Sequence, residues 1–439
     1  MLTRFNMLVF IAWRNIWRNK VRSMLTVSAL AGGLILVGFY AGMFEGMTRQ
    51  MVRMATEVST GHIQIKREAY IEDQDLYATM DWRYLEALEQ QYPELTFAPR
   101  LYAAGLASTD ETSVGVMIKA VDLQREQKVT RMLKQVKSGV LDFSKSVNNE
   151  GIEVYSIMVG NQLAKNIHLK ENSELIVVTQ SADGSIGNAI YRVAGILKSV
   201  DPAFDRMGVM MSLEAYEQLM YLSGSYDIVG SDSGVFHELA IKTPDAELAE
   251  QDQIQLVKTI TELSQSIGLD EFGGPIVVRN WKQINPTVSD MLELNSSITL
   301  VFGVIIIGLA SLGMLNTMMM SIHERTHEFG ILLAIGMKQR WILLMVMLES
   351  FFLSLVSAFF GLILSIWLIS YFGTHGIDFS GYLPEGFDWG GIAFEPVFRT
   401  HLEFSQQLSS AFLMIVIALF ASLIPAWRII RYKPAHVLK

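Results

Sequence analysis

The sequence predicts an α-helical membrane protein with four transmembrane helices and an extracytoplasmic mixed α+β domain of two subdomains. Three observations carry that prediction. Four long apolar runs interrupt an otherwise polar chain. One interval between them is of domain size. Basic residues collect at the same side of every run.

The 439 residues are 51% hydrophobic and 18% charged, against about 25% charged in a usual soluble domain. The deficit sits in the runs. A bilayer core asks for about 20 consecutive apolar residues per helix. Met24 to Phe44, Ser296 to Met320 and Leu408 to Trp427 hold no charge, and Ile342 to Phe372 holds only Glu349. The expected order is an interfacial helix at 1–23, spans at 24–45, 296–320, 342–372 and 408–427, a large domain at 46–295, loops at 321–341 and 373–407, and a tail at 428–439. The basic start is long and the apolar run outlasts a signal-peptide core of about 7–15 residues, so the first run is read as a retained helix.

Lys and Arg favour the cytoplasmic flanks of spans. Segments 1–23 and 321–341 and the tail after Ala426 hold 12 basic and 2 acidic residues; the rest of the chain holds 23 and 42. Loop 373–407 carries Arg399 against Asp378, Glu385, Asp388, Glu395 and Glu403. This predicts cytoplasmic termini and an acidic outer domain, which makes nucleic acid a poor partner. No cysteine is present, which excludes a disulfide framework or a thiolate metal site.

In the first segment Val9, Trp13, Ile16, Trp17 and Lys20 recur at helical spacing beside a basic stripe of Arg14, Arg18 and Arg22. Such a helix suits the membrane surface, and it equally suits the start of the first span. Gly38, Gly42 and Gly46 recur every fourth residue, a spacing that lets helix backbones approach. It predicts a helix seam, with a dimer axis as one place for it. In the large domain, strand patterns cover 61–66, 114–121, 174–179, 189–195, 208–212 and 276–278. Helical patterns cover 82–91, 161–166, 213–221 and 247–267. The segments 181–187 and 223–234 read as polar, glycine-containing loops.

One motif resembles a catalytic site. His323-Glu324-Arg325-Thr326-His327 fits H-E-x-x-H, which on a helix offers zinc two imidazoles and a general base. A membrane zinc protease is therefore the distant alternative. Against it, no third ligand stands at a known spacing, Glu328 included, and the motif lies in a short basic loop. Neither a phosphate-binding G-x-x-x-x-G-K-[ST] nor a G-x-S-x-G occurs, so no catalytic residue is assigned. Glu349, an ionisable group within an apolar run, is a functional candidate by default. Its place about two turns from the end of the run leaves snorkelling, capping and proton relay all open.

The loop from Ser321 to Gly336 resembles the V-x-E-R-x-x-E-I-G-I-L-R-A-L-G segment of MacB/LolC/FtsX-like ABC permeases. Ala12 to Thr26 is similar to the family's A-x-R-N-L-x-R-x-K-x-R-x-x-L-T. Pro425 to Lys439 is similar to its P-A-x-x-A-x-x-x-x-P-x-x-A-L-R, and Val159 to Ala164 to its I-G-x-x-L-A. Departures are Leu333, Ile429 and Val437, and His323 and His327 fall at variable positions. The resemblance implies a bacterial inner-membrane permease, not itself an enzyme, that binds no cofactor. It would work with a dimer of ABC ATPase subunits holding ATP and Mg, and with a second permease, identical or paralogous. Glu324, Arg325, Glu328, Phe329, Gly330 and Gly336 would couple to the ATPase. Phe39, Tyr40, Met43, Phe44, Met47, Met291, Leu294 and Ile298 would line a cavity for lipid or substrate. The first functional expectation is lipoprotein or lipid extraction toward a periplasmic carrier. The second is efflux with a periplasmic adaptor.

Overall fold

A computed structural model describes residues 2–109, 112–147, 151–181, 184–198, 201–220, 234–246, 249–267, 274–382, 387–389, 392–394 and 396–430. The expected loop at 223–234 lies almost wholly outside these residues, as do positions 182–183 and the tail from 431. The chain divides into two compact units. One comprises 1–49, 291–384 and 396–439; the other comprises 50–290 and 385–395.

The first unit is helical. Helix α1 (Leu2–Arg18) is followed after Asn19 by α2 (Lys20–Ala55). In the second unit the chain then runs β1 (Ile63–Arg67), α3 (Glu68–Asp73), β2 (Met80–Asp81), α4 (Trp82–Gln91), β3 (Thr96–Ser108), β4 (Ser113–Val121), α5 (Leu123–Val129), β5 (Val136–Gly139), β6 (Lys145–Val147) and β7 (Glu153–Val159). It continues through α6 (Asn161–Asn166), β8 (Glu174–Gln180), β9 (Ile186–Leu197), α7 (Pro202–Met207), β10 (Gly208–Ser212), α8 (Leu213–Met220), β11 (Val235–Phe236), β12 (Glu238–Lys242), α9 (Ala249–Ile267), β13 (Ile276–Asn280) and α10 (Trp281–Ile284). The remaining helices are α11 (Pro286–Glu324), α12 (Thr326–Ala334), α13 (Gln339–His375) and α14 (Phe404–Ile430).

Four helices are long and apolar enough to cross a membrane: α2, α11, α13 and α14. Each contains one apolar run of the sequence and overruns it. Their packing follows from small residues. On α13, Ser350, Ser354, Ser357, Gly361 and Ser365 recur at spacings of three and four and form one buried face. Ser350, Ser354 and Ser357 donate to carbonyls of their own helix, so no hydroxyl among them is stranded in the apolar interior. Gly361 lets Leu34 of α2 seat against the helix, where a Cβ would stand 2.9 Å from the leucine.

In the second unit, strands β3, β4, β10, β7, β9 and β8 pair in that order, and β8 returns to β3, so the ladder closes on itself. Alternate residues point into this ring. Ala103, Ile118, Ile157, Val177, Val193 and Val209 are all fully buried there, each large side chain contributing about 1.5–3 kcal/mol by burial. A flank of β13, β1 and β12 joins the ring through the first half of β3. The two subdomains expected from sequence therefore share one strand. The β8–β9 hairpin spans the expected 181–187 loop, with Gln180 opposite Ile186.

Where flank and ring meet, Arg100 of β3 is completely buried. Its guanidinium donates to both oxygens of Glu126 at 2.9 and 2.7 Å and to Glu238 at 2.6 Å. Asp122 caps α5 by accepting from the Gln124 and Arg125 amides, which sets the helix that delivers Glu126. Lys66 and Tyr102 hold the other oxygen of Glu238 at 2.7 and 3.1 Å. Burial would raise the Glu238 carboxyl, but Lys66, Arg100 and Lys119 outweigh it and hold it down at about 2. The neighbouring His237 accepts from the Tyr102 amide at Nδ1 and donates from Nε2 to the Leu76 carbonyl. That fixes a neutral imidazole, and burial lowers its pKa to about 4.

Because His237 takes up its proton near pH 4 when folded and near 6.5 when unfolded, the unfolded chain binds the extra proton in between. Stability from this group is complete above pH 6.5 and falls, by ~3 kcal/mol in all, as pH drops to 4. Glu238 extends the loss below about 4.5. Acid titration of the purified chain in detergent, followed by near-ultraviolet circular dichroism, should show this decline. His237→Gln should flatten it between pH 6.5 and 4.

Candidate coupling site

Helix α11 stops at Glu324 because Arg325 leaves helical geometry (φ −99°, ψ 12°). Helix α12 begins at once and ends before Gly336, whose φ of +96° is open to glycine at little cost. The break turns Arg325 inward. Its Nη1 lies 3.1 Å from Glu349 on α13 and its Nε 3.0 Å from Glu328 on α12. Both side chains of the Arg325–Glu349 pair are about nine-tenths buried. The guanidinium also covers the ring of Phe329 at 5.2 Å. Phe329 is 1% exposed and packs with Leu8, Ile322, Ile342 and Ala426.

The N-terminal segment completes the network. Arg18 of α1 donates to Glu328 at 2.7 Å, and Arg22 of α2 donates to Glu324 at 2.5 Å. The hydrogen bond from Arg18 holds the Glu328 carboxyl below its ordinary value. Helix α1 is set for this by its two apolar faces. Leu8, Ala12 and Ile16, four residues apart, are buried, while Phe10, Trp13 and Trp17 are exposed on another side. Arg18 and Arg22 together with Asn15, Thr26, Thr317, Ser321 and Glu349 line a polar cavity of about 90 Å³. The Asn15 side-chain nitrogen is buried without a hydrogen-bond partner among the described residues, and the cavity beside it is polar and roomy enough for water.

Glu324 and Glu328 lie on two helices, and each holds an arginine of the first 22 residues. The same break divides the H-E-x-x-H motif, leaving His323 on the last turn of α11 and His327 on the first turn of α12. Its glutamate is engaged by Arg22. Among the described residues no group of three or more His, Asp or Glu could hold a metal ion. The exposed residues of α12 are His327 and Glu328 in its first turn and Ile331 and Ala334 further on, and Ile335 follows just past its end; Ile331 is 43% and Ile335 79% exposed.

Residues 23–259 match the MacB-like periplasmic core domain, more than half of the chain, and residues 300–434 match the FtsX-like permease C-terminal family. The chain belongs to the MacB/LolC/FtsX-like ABC transporter permeases. Among its relatives, LolC of Xylella fastidiosa, a lipoprotein-releasing system transmembrane protein, is 18% identical over 82% of this chain and 81% of its own. MacB of Campylobacter jejuni, a macrolide export ATP-binding/permease protein, is 21% identical over 84% and 54%. An ABC transporter permease of Methanocaldococcus jannaschii is 27% identical over 50% and 49%. The permease thus spans about half the length of the last two relatives. In solved structures, the extracellular domain of YknZ from Gram-positive bacteria aligns at 11% identity and TM-score 0.31, over 50% of this chain and 99% of that one. The periplasmic region of MacB from Actinobacillus actinomycetemcomitans aligns at 12% identity and TM-score 0.32, over 53% and 94%. The two family matches agree with a membrane permease carrying a periplasmic-type domain.

The other residues singled out by sequence fall at two places in the permease's membrane unit. Gly38 faces Ser365 and Gln407, Gly42 faces Ile369, and at Gly46 a Cβ would overlap the Arg399 carbonyl. Gln407 donates to the Gly38 carbonyl at 3.2 Å and the His401 amide to the Gly42 carbonyl at 2.8 Å. This face of α2 is met by the chain's own α13 and by residues 399–407 at the start of α14, so the glycines form a seam within the chain. Of the proposed cavity residues, Tyr40 stacks near Phe44 and Phe302 of α11, whereas Phe39 turns to Phe372 of α13. Leu294 and Ile298 are exposed on α11, and Met43, Met47 and Met291 are half-buried. The eight residues therefore do not share one face. Sequence reasoning missed Arg18, Arg22 and Glu349 as partners of the loop; the signal available was an intramembrane glutamate with no cation on its own helix face.

Removing Arg325 leaves Glu349 buried without a cation, a loss of about 3–5 kcal/mol for a buried pair. Arg325→Met should lower the unfolding midpoint of the detergent-solubilised permease sharply, and Arg325→Met with Glu349→Leu should recover most of it. Arg18→Glu should loosen α1 and expose the Asn19 joint to protease. The exchange Arg18→Glu with Glu328→Arg should restore protection.

Proposed function

We propose that this permease, with both termini cytoplasmic and its large domain periplasmic, converts ATP-driven closure of a separate ATPase dimer into work on a lipid-anchored substrate at the outer leaflet. The observation that carries the reading is the ion-pair network at the α11–α12 break. Glu324, Arg325, Glu328, Phe329, Gly330 and Gly336 form the frame of the coupling loop, and the exposed Ile331 and Ile335 are the surface that meets the ATPase. ATP and Mg stay on that partner. A push on α12 would reach α13 through the Arg325–Glu349 pair at its start and α1 through Glu328–Arg18, because each pair is a direct side-chain bond.

Lipoprotein or lipid transfer to a periplasmic carrier, beside a second permease, is preferred over adaptor-linked efflux. The alignment to LolC spans about four-fifths of both chains, and that to MacB about half of MacB. The chemistry supports a lipid path at Tyr40, Phe44 and Leu294, since Met43, Met47 and Met291 beside them suit irregular acyl chains. Each acyl CH₂ brought into water costs about 0.8 kcal/mol, so extraction needs apolar shelter as well as ATP.

Three measurements test this. A cysteine at Ser185 should react with an impermeant thiol reagent from outside, and one at Gln339 should not. Ile335→Asp should abolish co-purification of the ATPase from native membrane, while His323→Ala and His327→Ala leave it intact. Photo-crosslinkers at Tyr40, Met43 and Leu294 should capture lipoprotein or lipid without nucleotide, and less when ATP is added with a non-hydrolysing ATPase. Capture of the second permease alone in every state moves efflux ahead.

A further inference from the structure

The flank of the large unit holds a second cavity. Strands β1 and β13 are antiparallel neighbours in which Gln64 lies opposite Arg279 and Lys66 opposite Val277. Strand alternation places these four residues on one face of the sheet. They floor a cavity of about 170 Å³ walled by Tyr70 and Gln74 beside α3 and by Ile284 of α10. The cavity is smaller than a drug-sized ligand site of about 300–1,000 Å³, and its scale is that of a headgroup or a single small anion.

Its charge is positive for a structural reason. On the same sheet face, next to Lys66, lies the buried cluster of Arg100, Lys119, Glu126 and Glu238. With Lys66 that cluster has three cations and two carboxylates, and Lys66 is its most exposed member, 22% against 5% or less for the others. The surplus charge therefore surfaces in the cavity. Arg279 adds a second cation, and its guanidinium makes no hydrogen bond or ion pair among the described residues. An arginine fork with free donors fits the paired oxygens of a carboxylate or phosphate. The Tyr70 ring, Val277 and Ile284 offer an apolar wall to whatever carries them.

We propose that this cavity binds an oxyanion, carboxylate or phosphate, joined to a short apolar group. Arg279 grips the oxygens and Lys66 supplies the field. The ligand is either a soluble small anion or the headgroup phosphate of a lipid. The site is independent of how the coupling loop works.

The full-length permease in phosphatidylcholine nanodiscs is titrated calorimetrically with inorganic phosphate, with butyrate and with dihexanoyl phosphatidic acid. Butyrate or the short lipid should bind more tightly than phosphate alone. Arg279→Gln should weaken binding at least tenfold with unchanged thermal unfolding. Arg279→Lys should keep part of it, and Lys258→Gln on the exposed face of α9 should change nothing. Binding of butyrate without the lipid assigns a soluble ligand; preference for the lipid assigns a headgroup. Lys66 is not the first choice of variant, because its loss also unpairs Glu238. No binding of any probe, or equal binding by Arg279→Gln and the unaltered chain, overturns the proposal.

Discussion

A carboxylate inside an apolar helix must be met by a cation, and Glu349 imposes that demand on the loop end of the membrane unit. Its partner Arg325 stands at the joint between α11 and α12, outside regular helical geometry. On either side of that joint, Glu324 at the end of α11 pairs with Arg22 and Glu328 on α12 pairs with Arg18. The first helix is then held twice, by its apolar face of Leu8, Ala12 and Ile16 and by charge. The surface pairs add little stability on their own, about 0–1 kcal/mol for an exposed pair such as Arg18–Glu328. They fix orientation, and the buried pair holds the loop in place.

The large unit solves a similar problem in the same way. Arg100 serves two carboxylates at once, as Arg325 does, because a guanidinium carries five donors in a rigid fork. Each of its partners belongs to a different element, Glu126 to α5 and Glu238 to β12. The result ties the closed ring of strands to its flank at one point. Replacing such a cluster with apolar groups is often neutral for stability, whereas removing one member is not. Its contribution is thus specificity of strand order, and it also sets the sign of the field in the adjoining cavity.

How legible was this in the sequence? The four spans were plain, since each needs only an uninterrupted apolar run. So were strands with β-branched alternation, such as β4, β8 and β10, and the helices α4 and α6. Strand β3 was not: Pro99, Gly105 and four alanines dilute its pattern, and it is buried within one sheet, paired with β12, β4 and β8. Strand β12 begins with Glu238, which reads as a surface residue and is 1% exposed. At the coupling site, the loop residues were legible from their resemblance to a family segment, but their partners were not. Arg18 and Glu328 stand 310 residues apart, and no period in a chain encodes such a meeting. The arginine stripe suited a membrane-surface helix and the start of the first span equally, and neither reading pairs Arg18 with Glu328 or Arg22 with Glu324.

The glycines of α2 show what their spacing does encode. Every fourth residue from Gly38 to Gly46 gives a flat strip on which backbone and small side chains can lie. What lies there is the chain's own Ser365, Ile369 and the segment 399–407. The bonds from Gln407 and His401 go to the carbonyls of Gly38 and Gly42, which are accessible because no side chain shields them. Helix α2 is therefore gripped near its start by the Arg22–Glu324 pair and further along through its backbone at these glycines. It runs for 36 residues, about 54 Å at 1.5 Å per residue, with no proline to absorb a displacement. A helix fixed at two separated points and lacking a hinge responds to movement of either point by moving as a rod. The strip of glycines is what makes the second grip possible, and a side chain at Gly46 would push α2 off the Arg399 carbonyl and release it.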